Sequence, residues 1–294
     1  MKFALHAVGC GSTARPEMLA QVAQKAEALG FESVWIPEHL AVPVTMRTPY
    51  PYAADGKFPG GPQVALHDPF VALAFVAACT SRIRLGTGVF VLPLRNAFAV
   101  AKAAASLDVL SNGRLLFGIG VGWLEDEFEA VGMPFRDRAA RTREAVRMMK
   151  RLWTEDAPAF EGKFHRFAPL GFNPKPVQKP HPPLILGGER PAALKRAAEL
   201  GDGWIGVAHT PETVRPVLAA LREQATRVGR DPSALEITVG TAAGLVDIDS
   251  VRAFAAEGVH RLIVSSPGFV PRARIEPDLF PQLERYAETV MAKT

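Results

Sequence analysis

One stretch of the chain places an acid beside a base. Glu38 and His39 directly follow an apolar run that is typical of a β-strand. An imidazole gains or loses a proton near neutral pH, so a histidine at a strand end is suited to acid-base work on a bound substrate. A structural histidine with satisfied hydrogen bonds is the alternative interpretation of the same residue.

A second stretch combines bare backbone with the start of a helix. Leu186, Gly187, Gly188 and Glu189 lead from an apolar strand to Arg190 and to a proline at the first helical position. Glycine backbone beside a helix N-terminus presents free N–H groups and a favourable dipole to an anion. We therefore expect either a phosphate cradle or an ordinary tight turn.

Several other catalytic motifs are excluded. The run from Gly118 to Gly122 resembles a dinucleotide-binding loop, whose third glycine follows the second after two other residues. With Gly118 and Gly120 as the first two glycines, that position is occupied by Trp123. The chain has no phosphate loop, no Gly-x-Ser-x-Gly elbow and no His-Glu-x-x-His helix. Its 7 histidines lack ligand spacing and its 2 cysteines, Cys10 and Cys79, are too few for a thiolate zinc site, so we expect no metal.

Short apolar strands alternate with amphipathic helices along the whole chain. The expected strands are Phe3–Val8, Ser33–Pro37, Ile83–Leu92, Leu115–Val121, Leu184–Leu186, Gly203–Val207, Leu235–Gly240 and Arg261–Ser265. The expected helices begin near Pro16, Asp68, Asn96, Arg138, Pro191, Thr210, Ser250 and Pro277, the last ending at Met291. Eight strand-helix units predict an α/β fold, a (β/α)8 TIM barrel in one domain over residues 1–294, rather than an open doubly wound sheet.

Two long insertions interrupt this pattern. Residues 38–67 are rich in proline and tyrosine, and residues 154–183 contain a short hairpin around Gly162 and then a proline-rich extended run. Active sites of such barrels lie at the C-terminal ends of the strands, so we expect both insertions to cover that face. Their aromatic residues Tyr50, Tyr52, Phe58 and Phe164 indicate a partly apolar substrate.

Composition and charge limit the class of protein. The 294 residues are 48% hydrophobic and 22% charged, enough for a large core and against a disordered chain. The net charge of +4 is dispersed and forms no basic arm, so we expect no nucleic-acid partner. No apolar stretch reaches the roughly 20 residues of a membrane span, and the start of the chain does not resemble a signal peptide, so we expect a cytoplasmic protein.

Taken together, the motifs resemble the luciferase-like family of flavin and deazaflavin oxidoreductases, and the match covers nearly the whole chain. The matching pieces are Gly30–Trp35 with Glu38–His39, Arg84–Val89, Ala101–Lys102, Ser106–Arg114, Gly118–Trp123, Glu127–Phe128, Phe135 with Arg138, Lys175–Pro176, Gly187–Gly188 and Gly201–Trp204. Each piece alone is weak, whereas their joint order is specific.

The resemblance implies a barrel that binds coenzyme F420, with FMN as the alternative cofactor. It implies a peptide between Gly88 and Val89, often cis, behind the ring system, a cofactor phosphate on Gly187 and Gly188, and His39 near the reactive ring edge as the catalytic residue. The cofactor-binding residues that it implies are Glu38, Thr87, Gly88, Val89, Leu186, Gly187, Gly188 and Glu189.

One position departs from the pattern of some F420-dependent dehydrogenases. These carry an acidic proton donor just after strand four, and Trp123 occupies that place here. We interpret Trp123 as a wall of the substrate pocket or as simple barrel packing. Glu127, assigned to the substrate pocket, and Glu125 lie one turn further and could replace the missing acid, or could cap a helix or face solvent.

The expected activity is hydride transfer between F420 and a small organic substrate, with His39 as proton donor or substrate orienter. Arg190, Lys195 and Arg196 could meet the anionic tail of the deazaflavin or form a solvated helix face. The alternatives are an FMN-dependent monooxygenase that uses reduced flavin and oxygen, and a non-catalytic flavin-binding barrel. The barrel could also pair into a homodimer.

Overall fold

A closed barrel of parallel strands forms the centre of the molecule. The computed structural model describes residues 1–53, 55–242, 244–265 and 279–294. The strands are β1 (Lys2–His6), β2 (Ser33–Ile36), β3 (Arg84–Thr87), β4 (Phe90–Val91), β5 (Leu115–Gly120), β6 (Phe160–Glu161), β7 (Arg166–Phe167), β8 (Leu184–Gly187), β9 (Gly203–His209), β10 (Glu236–Thr241) and β11 (Arg261–Ser265). Eight of them follow the order β3-β2-β1-β11-β10-β9-β8-β5, and pairing of β3 with β5 closes the ring. The predicted (β/α)8 barrel is confirmed.

Helices follow the barrel strands and cover their outer surface. They are α1 (Pro16–Ala28), α2 (Pro69–Cys79), α3 (Ala97–Leu110), α4 (Glu125–Ala130), α5 (Arg138–Thr154), α6 (Pro191–Leu200), α7 (Pro211–Arg227), α8 (Ile248–Ala256) and α9 (Leu279–Thr289). Asp68 and Asn96 cap α2 and α3 by accepting hydrogen bonds from backbone amides of the first turn. The predicted start of the last helix at Pro277 lies outside the described residues.

The third predicted strand is not continuous. The peptide bond between Gly88 and Val89 is cis, and it separates β3 from the two-residue β4. Both pieces pair with β5, so the chain continues along the same neighbour after the break. The expectation of one strand from Ile83 to Leu92 is wrong for this reason, although the resemblance had indicated an unusual peptide here.

Inside the barrel, a large side chain and the backbone fill the space that glycines leave open. Trp35 is fully buried and packs with Ala4, Leu116, Ile185, Ile205 and Ile263 from other strands. A Cβ atom on Gly86 would lie 2.3 Å from the Trp35 indole, and one on Gly118 would lie 1.9 Å from the Thr87 carbonyl oxygen. These strand glycines are therefore required by close approach of their neighbours.

An ion-pair cluster closes the end of the barrel where the strands begin. The Arg261 guanidinium is fully buried and donates to both Glu32 carboxylate oxygens at 2.8 Å. It also donates to Glu236 at 3.2 Å and to the Thr238 hydroxyl at 3.0 Å. Burial disfavours the charged carboxylates, but the hydrogen bonds and charge of Arg261 hold the pKa of Glu32 below its usual range.

The first insertion and the proline-rich part of the second lie at different ends of the barrel. Residues 38–67 connect β2 to α2 and lie at the C-terminal ends of the strands, as predicted. Residues 154–183 connect a helix to a strand, so their proline-rich part lies at the opposite end, where Gln178 donates to Asp108 at 2.6 Å and to the Leu115 carbonyl at 2.9 Å. The predicted hairpin around Gly162 is present as β6 and β7. The expectation that the second insertion covers the active face is therefore wrong for its proline-rich part, whereas the hairpin packs beside Leu92 and Arg95, which follow β4.

Candidate active site

His39 forms a buried pair with Glu127 at the barrel mouth. The His39 Nδ1 atom lies 3.0 Å from Glu127 Oε2, and the two side chains are only 8% and 2% exposed. Glu127 comes from the short helix α4, which follows β5. Its other oxygen accepts hydrogen bonds from the Leu40 amide and, at 3.3 Å, from the Ala41 amide. An ionised carboxylate only accepts hydrogen bonds, so the proton sits on Nδ1 and Nε2 is left for a substrate.

Aromatic rings surround the His39 imidazole. Phe58 and Trp123 contact it edge to face, with ring centroids 4.9 and 5.6 Å away. Tyr50 continues the cluster, with its centroid 5.3 Å from that of Trp123 and 5.4 Å from those of Tyr52 and Phe58. Burial, together with nearby Tyr52, raises the pKa of Tyr50 to about 12, so its phenol stays neutral. The mouth thus has an apolar wall beside one proton-carrying group.

Ion pairs fasten the first insertion to the barrel beneath it. Arg47 donates to Asp126 at 2.7 Å and also to Glu129, both on α4. Glu38 is buried and accepts hydrogen bonds from the Val91 amide and from Arg95. These contacts use the Glu38 carboxylate to hold the end of β2 against the start of the Leu92–Leu94 turn. Its carboxylate is therefore occupied by protein groups, and these contacts fix the chain directly before His39.

The cis peptide lies beside a histidine that the sequence interpretation did not select. His6 ends β1, and its Nε2 atom lies 3.0 Å from the Gly88 carbonyl oxygen. Burial lowers the pKa of His6, which the Gly88 hydrogen bond only partly offsets, so this imidazole is neutral at pH 7. Val89 is half-buried and reaches toward β5 and β8, because a Cβ atom on Gly120 would lie 2.5 Å from its Cγ2. His6 and Val89 together form the floor of the mouth.

Two predicted cofactor residues turn their side chains away from the mouth. The Thr87 hydroxyl is buried and donates to the Gly118 carbonyl at 2.7 Å. Leu186 is fully buried and packs in the layer between strands and helices. Only the backbone of these two residues is available to a ligand.

The glycine turn before α6 has the geometry of an anion cradle. Gly188 adopts φ of 108°, and its carbonyl oxygen accepts a hydrogen bond from the Trp204 indole at 2.9 Å. Within the described chain, the amides of Gly188, Glu189 and Arg190 donate to no protein group. A helix of ten residues begins at Pro191 directly after them, so its dipole adds to these free N–H groups.

A second histidine pair lies at the same turn. His209 is 5% exposed, and its Nε2 atom lies 3.1 Å from the Glu189 Oε1 atom. Its Nδ1 atom lies 3.2 Å from the Thr213 hydroxyl. Tyr52 reaches this pair from the first insertion: its pKa is raised by burial and by the nearby Glu189 carboxylate. The carboxylate of Glu189 is thereby held at the rim of the turn.

The remaining predicted residues lie elsewhere. Phe164 stacks on Arg141, with the guanidinium carbon 4.4 Å from the ring centroid, beside a cavity of about 240 Å³ between α3 and α5. Glu125 is exposed. Lys195 faces Glu199 at 3.8 Å, whereas Arg196 is buried. Phe164 is therefore not part of the aromatic cluster around His39, contrary to expectation.

Some classes of site are missing from the described part of the chain. It contains no group of three or more histidine, cysteine or acidic residues arranged to hold a metal ion. None of its helices is long and apolar enough to cross a membrane. Cys10 and Cys79 are both free, and burial raises the pKa of the Cys10 thiol to about 12.

The sequence matches the family of luciferase-like monooxygenases over residues 1–291. An uncharacterized protein of Mycobacterium tuberculosis is 36% identical over 213 residues, covering 72% of this chain and 75% of that protein. An F420-dependent glucose-6-phosphate dehydrogenase of Kineococcus radiotolerans is 37% identical over 233 residues, covering 76% of this chain and 63% of that enzyme.

Solved structures show the same fold. A monooxygenase, RslO1, from Streptomyces bottropensis superposes with a TM-score of 0.78 at 25% identity, over 100% of this chain and 99% of that one. An F420-dependent secondary alcohol dehydrogenase, solved with an F420-acetone adduct, gives 0.77 at 19% identity over the same shares. The chain therefore belongs to the luciferase-like family, a family of barrel oxidoreductases.

Proposed function

We propose that this protein transfers a hydride between bound coenzyme F420 and a small, uncharged organic substrate. The observation that carries the proposal is the buried His39–Glu127 pair at the barrel mouth, enclosed by aromatic rings. The relative from Kineococcus radiotolerans, which is named as F420-dependent, supports the choice of cofactor.

The residues present fit a cofactor that has both a flat ring and a phosphate. The free amides of Gly188, Glu189 and Arg190 at the start of α6 suit the phosphate. Val89, exposed in part on the floor of the mouth, suits one face of a ring system. Between these two features run the C-terminal ends of β5 and β8, which pair through Ile119 and Leu186.

F420, when bound, supplies a ring carbon that donates or accepts a hydride, and the protein must manage the accompanying proton. Because Glu127 engages His39 Nδ1, Nε2 is the ring atom left to act on a substrate, as an acceptor when neutral and as a donor when protonated. A positioned acid-base group of this kind accelerates proton transfer by about 10²- to 10⁴-fold. Phe58 and Trp123 exclude water from the same ring.

The walls of the mouth favour a substrate without charge. Trp123, Tyr50 and Phe58 present apolar rings, and the carboxylate of Glu127 would repel a phosphorylated or carboxylated substrate near it. Arg47 and Arg95, the nearest cations of the first insertion and its base, are already paired with carboxylates. Small ketones, aldehydes, secondary alcohols and conjugated enones have the required chemistry.

A second candidate is monooxygenation with reduced FMN and oxygen. The likeness to RslO1, named as a monooxygenase, favours it at 25% identity over the whole chain. The same glycine turn suits the phosphate of FMN, so the two candidates differ in the ring bound at the mouth and in the need for oxygen.

An anaerobic assay tests the proposal. Protein loaded with reduced F420 is mixed, without oxygen, with a panel of neutral ketones and enones, and the absorbance of oxidised F420 is followed. We expect protein-dependent oxidation that is at least tenfold faster for neutral acceptors than for their phosphorylated counterparts. Oxidation of the bound cofactor only after oxygen is admitted would favour the monooxygenase instead.

A further inference from the structure

A cavity in the helix layer around the barrel is lined by basic and apolar side chains. It has a volume of about 240 Å³ and lies between the start of α3, helix α5 and the hairpin of β6 and β7. Its polar lining residues include Arg95, Arg141 and His165, and its apolar ones include Met133 and Phe164. Among the described residues that line it, none carries a carboxylate. The cavity therefore favours an anionic ligand over a cationic one.

Arg141 is the cation of this cavity that has no counter-ion. Its Nε atom is buried and has no hydrogen-bond partner among the described residues. In that part of the chain its guanidinium forms no ion pair, and it stacks on the Phe164 ring at 4.4 Å. Stacking covers a face of the guanidinium and leaves the N–H donors at its edge without acceptors. A guanidinium in this state favours a ligand that supplies acceptor oxygens.

The acid that could neutralise Arg141 is bound elsewhere. Glu144 stands three residues further along α5, a spacing at which oppositely charged side chains of a helix can pair. Its carboxylate instead accepts hydrogen bonds from three backbone amides of the hairpin, those of Lys163, Phe164 and His165, at 2.7 to 2.8 Å. It also lies 3.0 Å from the His165 Nδ1 atom. These contacts fasten the hairpin to α5 and leave Arg141 unpaired.

The other cations of the cavity are already neutralised. Arg95 is paired with Glu38 and, at 2.8 Å, with Asp68. His165 is paired with Glu144. The excess charge of the cavity is therefore that of one guanidinium. This balance favours an anion with a single charge over a phosphate dianion, because the second charge of the dianion would be removed from water without a partner.

The volume and the apolar walls define the rest of the ligand. An engineered apolar cavity of about 150 Å³ holds one benzene molecule. The 240 Å³ available here therefore leave room for a ring of that size and for a carboxylate group. Met133 and Phe164 would contact the ring, and a planar carboxylate matches the donor geometry of the Arg141 guanidinium.

We propose that this cavity binds an aromatic monocarboxylate of the size of benzoate, and that Arg141 is the residue that holds the carboxylate. The lining of the cavity includes neither His39 nor Val89 nor the glycine turn before α6. The site is thus separate from the barrel mouth, and the proposal does not depend on which cofactor the mouth binds.

Fluorine NMR of the whole protein with para-fluorobenzoate tests this proposal. The matched neutral probe is para-fluorobenzamide, which has the same shape without the charge, and inorganic phosphate is the anion without an apolar body. We expect one saturable site that binds para-fluorobenzoate at least tenfold more tightly than para-fluorobenzamide. Unlabelled benzoate should displace the probe, whereas phosphate at the same concentration should not.

Two substitutions remove different features of the site. Arg141→Met removes the charge and keeps an apolar contact with Phe164, so the affinity for para-fluorobenzoate should fall at least tenfold. Ala145→Leu keeps the charge but fills part of the cavity, so it should weaken binding to a similar extent. Arg147→Met is the matched control, because Arg147 is exposed on the same helix and does not line the cavity. Its affinity for the probe should stay within twofold of the wild-type value.

Several results would overturn the proposal: unchanged affinity in Arg141→Met, equal binding of the acid and the amide, or displacement of the probe by phosphate. If Arg141→Met does not fold, the Ala145→Leu variant and the comparison of the two probes decide the matter. Loss of probe binding in His39→Asn but not in Arg141→Met would place the carboxylate at the barrel mouth, and would likewise overturn the assignment of this cavity.

Discussion

The glycine turn before α6 allows a quantitative test of how the phosphate is held. Gly188 has φ of 108°, a conformation that residues with a side chain rarely adopt. A Cβ atom there would lie 2.8 Å from the Ala193 Cβ atom in the first turn of α6. The change Gly188→Ala therefore adds about 1 to 3 kcal/mol of backbone strain, and it forces the turn to move relative to the helix.

The change should weaken cofactor binding and lower protein stability, and the two effects can be measured separately. A hydrogen bond to a charged group contributes about 1.5 to 3 kcal/mol, so misaligning one turn amide weakens cofactor binding by roughly 10- to 100-fold. The strain itself lowers the melting temperature by about 2 °C per kcal/mol in a protein of this size. Fluorescence titration with F420 measures the first effect, and thermal unfolding followed by circular dichroism measures the second.

Gly229→Ala is the control for backbone strain alone. Gly229 has φ of 74° at the end of α7, and a Cβ atom there would meet nothing within 4 Å. It should lose stability to a comparable extent and keep full affinity for the cofactor. Wild-type affinity in Gly188→Ala, or an equal loss of affinity in Gly229→Ala, would refute the assignment of the turn as the phosphate cradle.

Three further changes test other parts of the structure. His39→Asn keeps a donor toward Glu127 but removes Nε2. Turnover should fall about 100-fold or more, while the affinity for F420 stays within a few-fold of the wild-type value. Unchanged turnover would show that His39 takes no part in the reaction. Glu127→Gln should lower the free energy of unfolding by about 1 to 3 kcal/mol, measured by urea titration, and wild-type stability would contradict the buried pair. Glu32 has a depressed pKa in the folded state, so its stabilisation is present above its ordinary pKa of 4.5 and is lost as the pH falls below that value. Glu32→Gln should therefore weaken the dependence of the unfolding free energy on acidic pH, measured by denaturant titrations. An unchanged pH dependence would contradict the role of this ion pair.

Much of the barrel follows from local patterns in the sequence. Alternating strands and helices, with stops such as Gly30 and Gly201, predict eight units because each signal lies within a few neighbouring residues. The break at Gly88 is different, because sequence periodicity cannot reveal a cis bond between two halves of an apolar run. The proline-rich part of the second insertion lies at the far end because it leads from a helix into a strand, so the order of the elements and not their aromatic content determines its position.

Of the candidate site, only the residues at the ends of strands could be predicted from the sequence. His39 was identified because it follows β2, whereas its contact with Glu127 joins residues 88 positions apart and depends on the six-residue helix α4, which has no apolar periodicity. His6 and His209 also end barrel strands, and their positions were the available signal.

The central claim is that the barrel mouth holds a deazaflavin rather than a flavin. Titration of the purified protein with F420 and, separately, with FMN, at equal low salt and followed by cofactor fluorescence, tests this claim most directly. The account predicts that F420 binds at least tenfold more tightly than FMN, a difference of about 1.4 kcal/mol or more. Tighter binding of FMN, or no binding of F420, would contradict it.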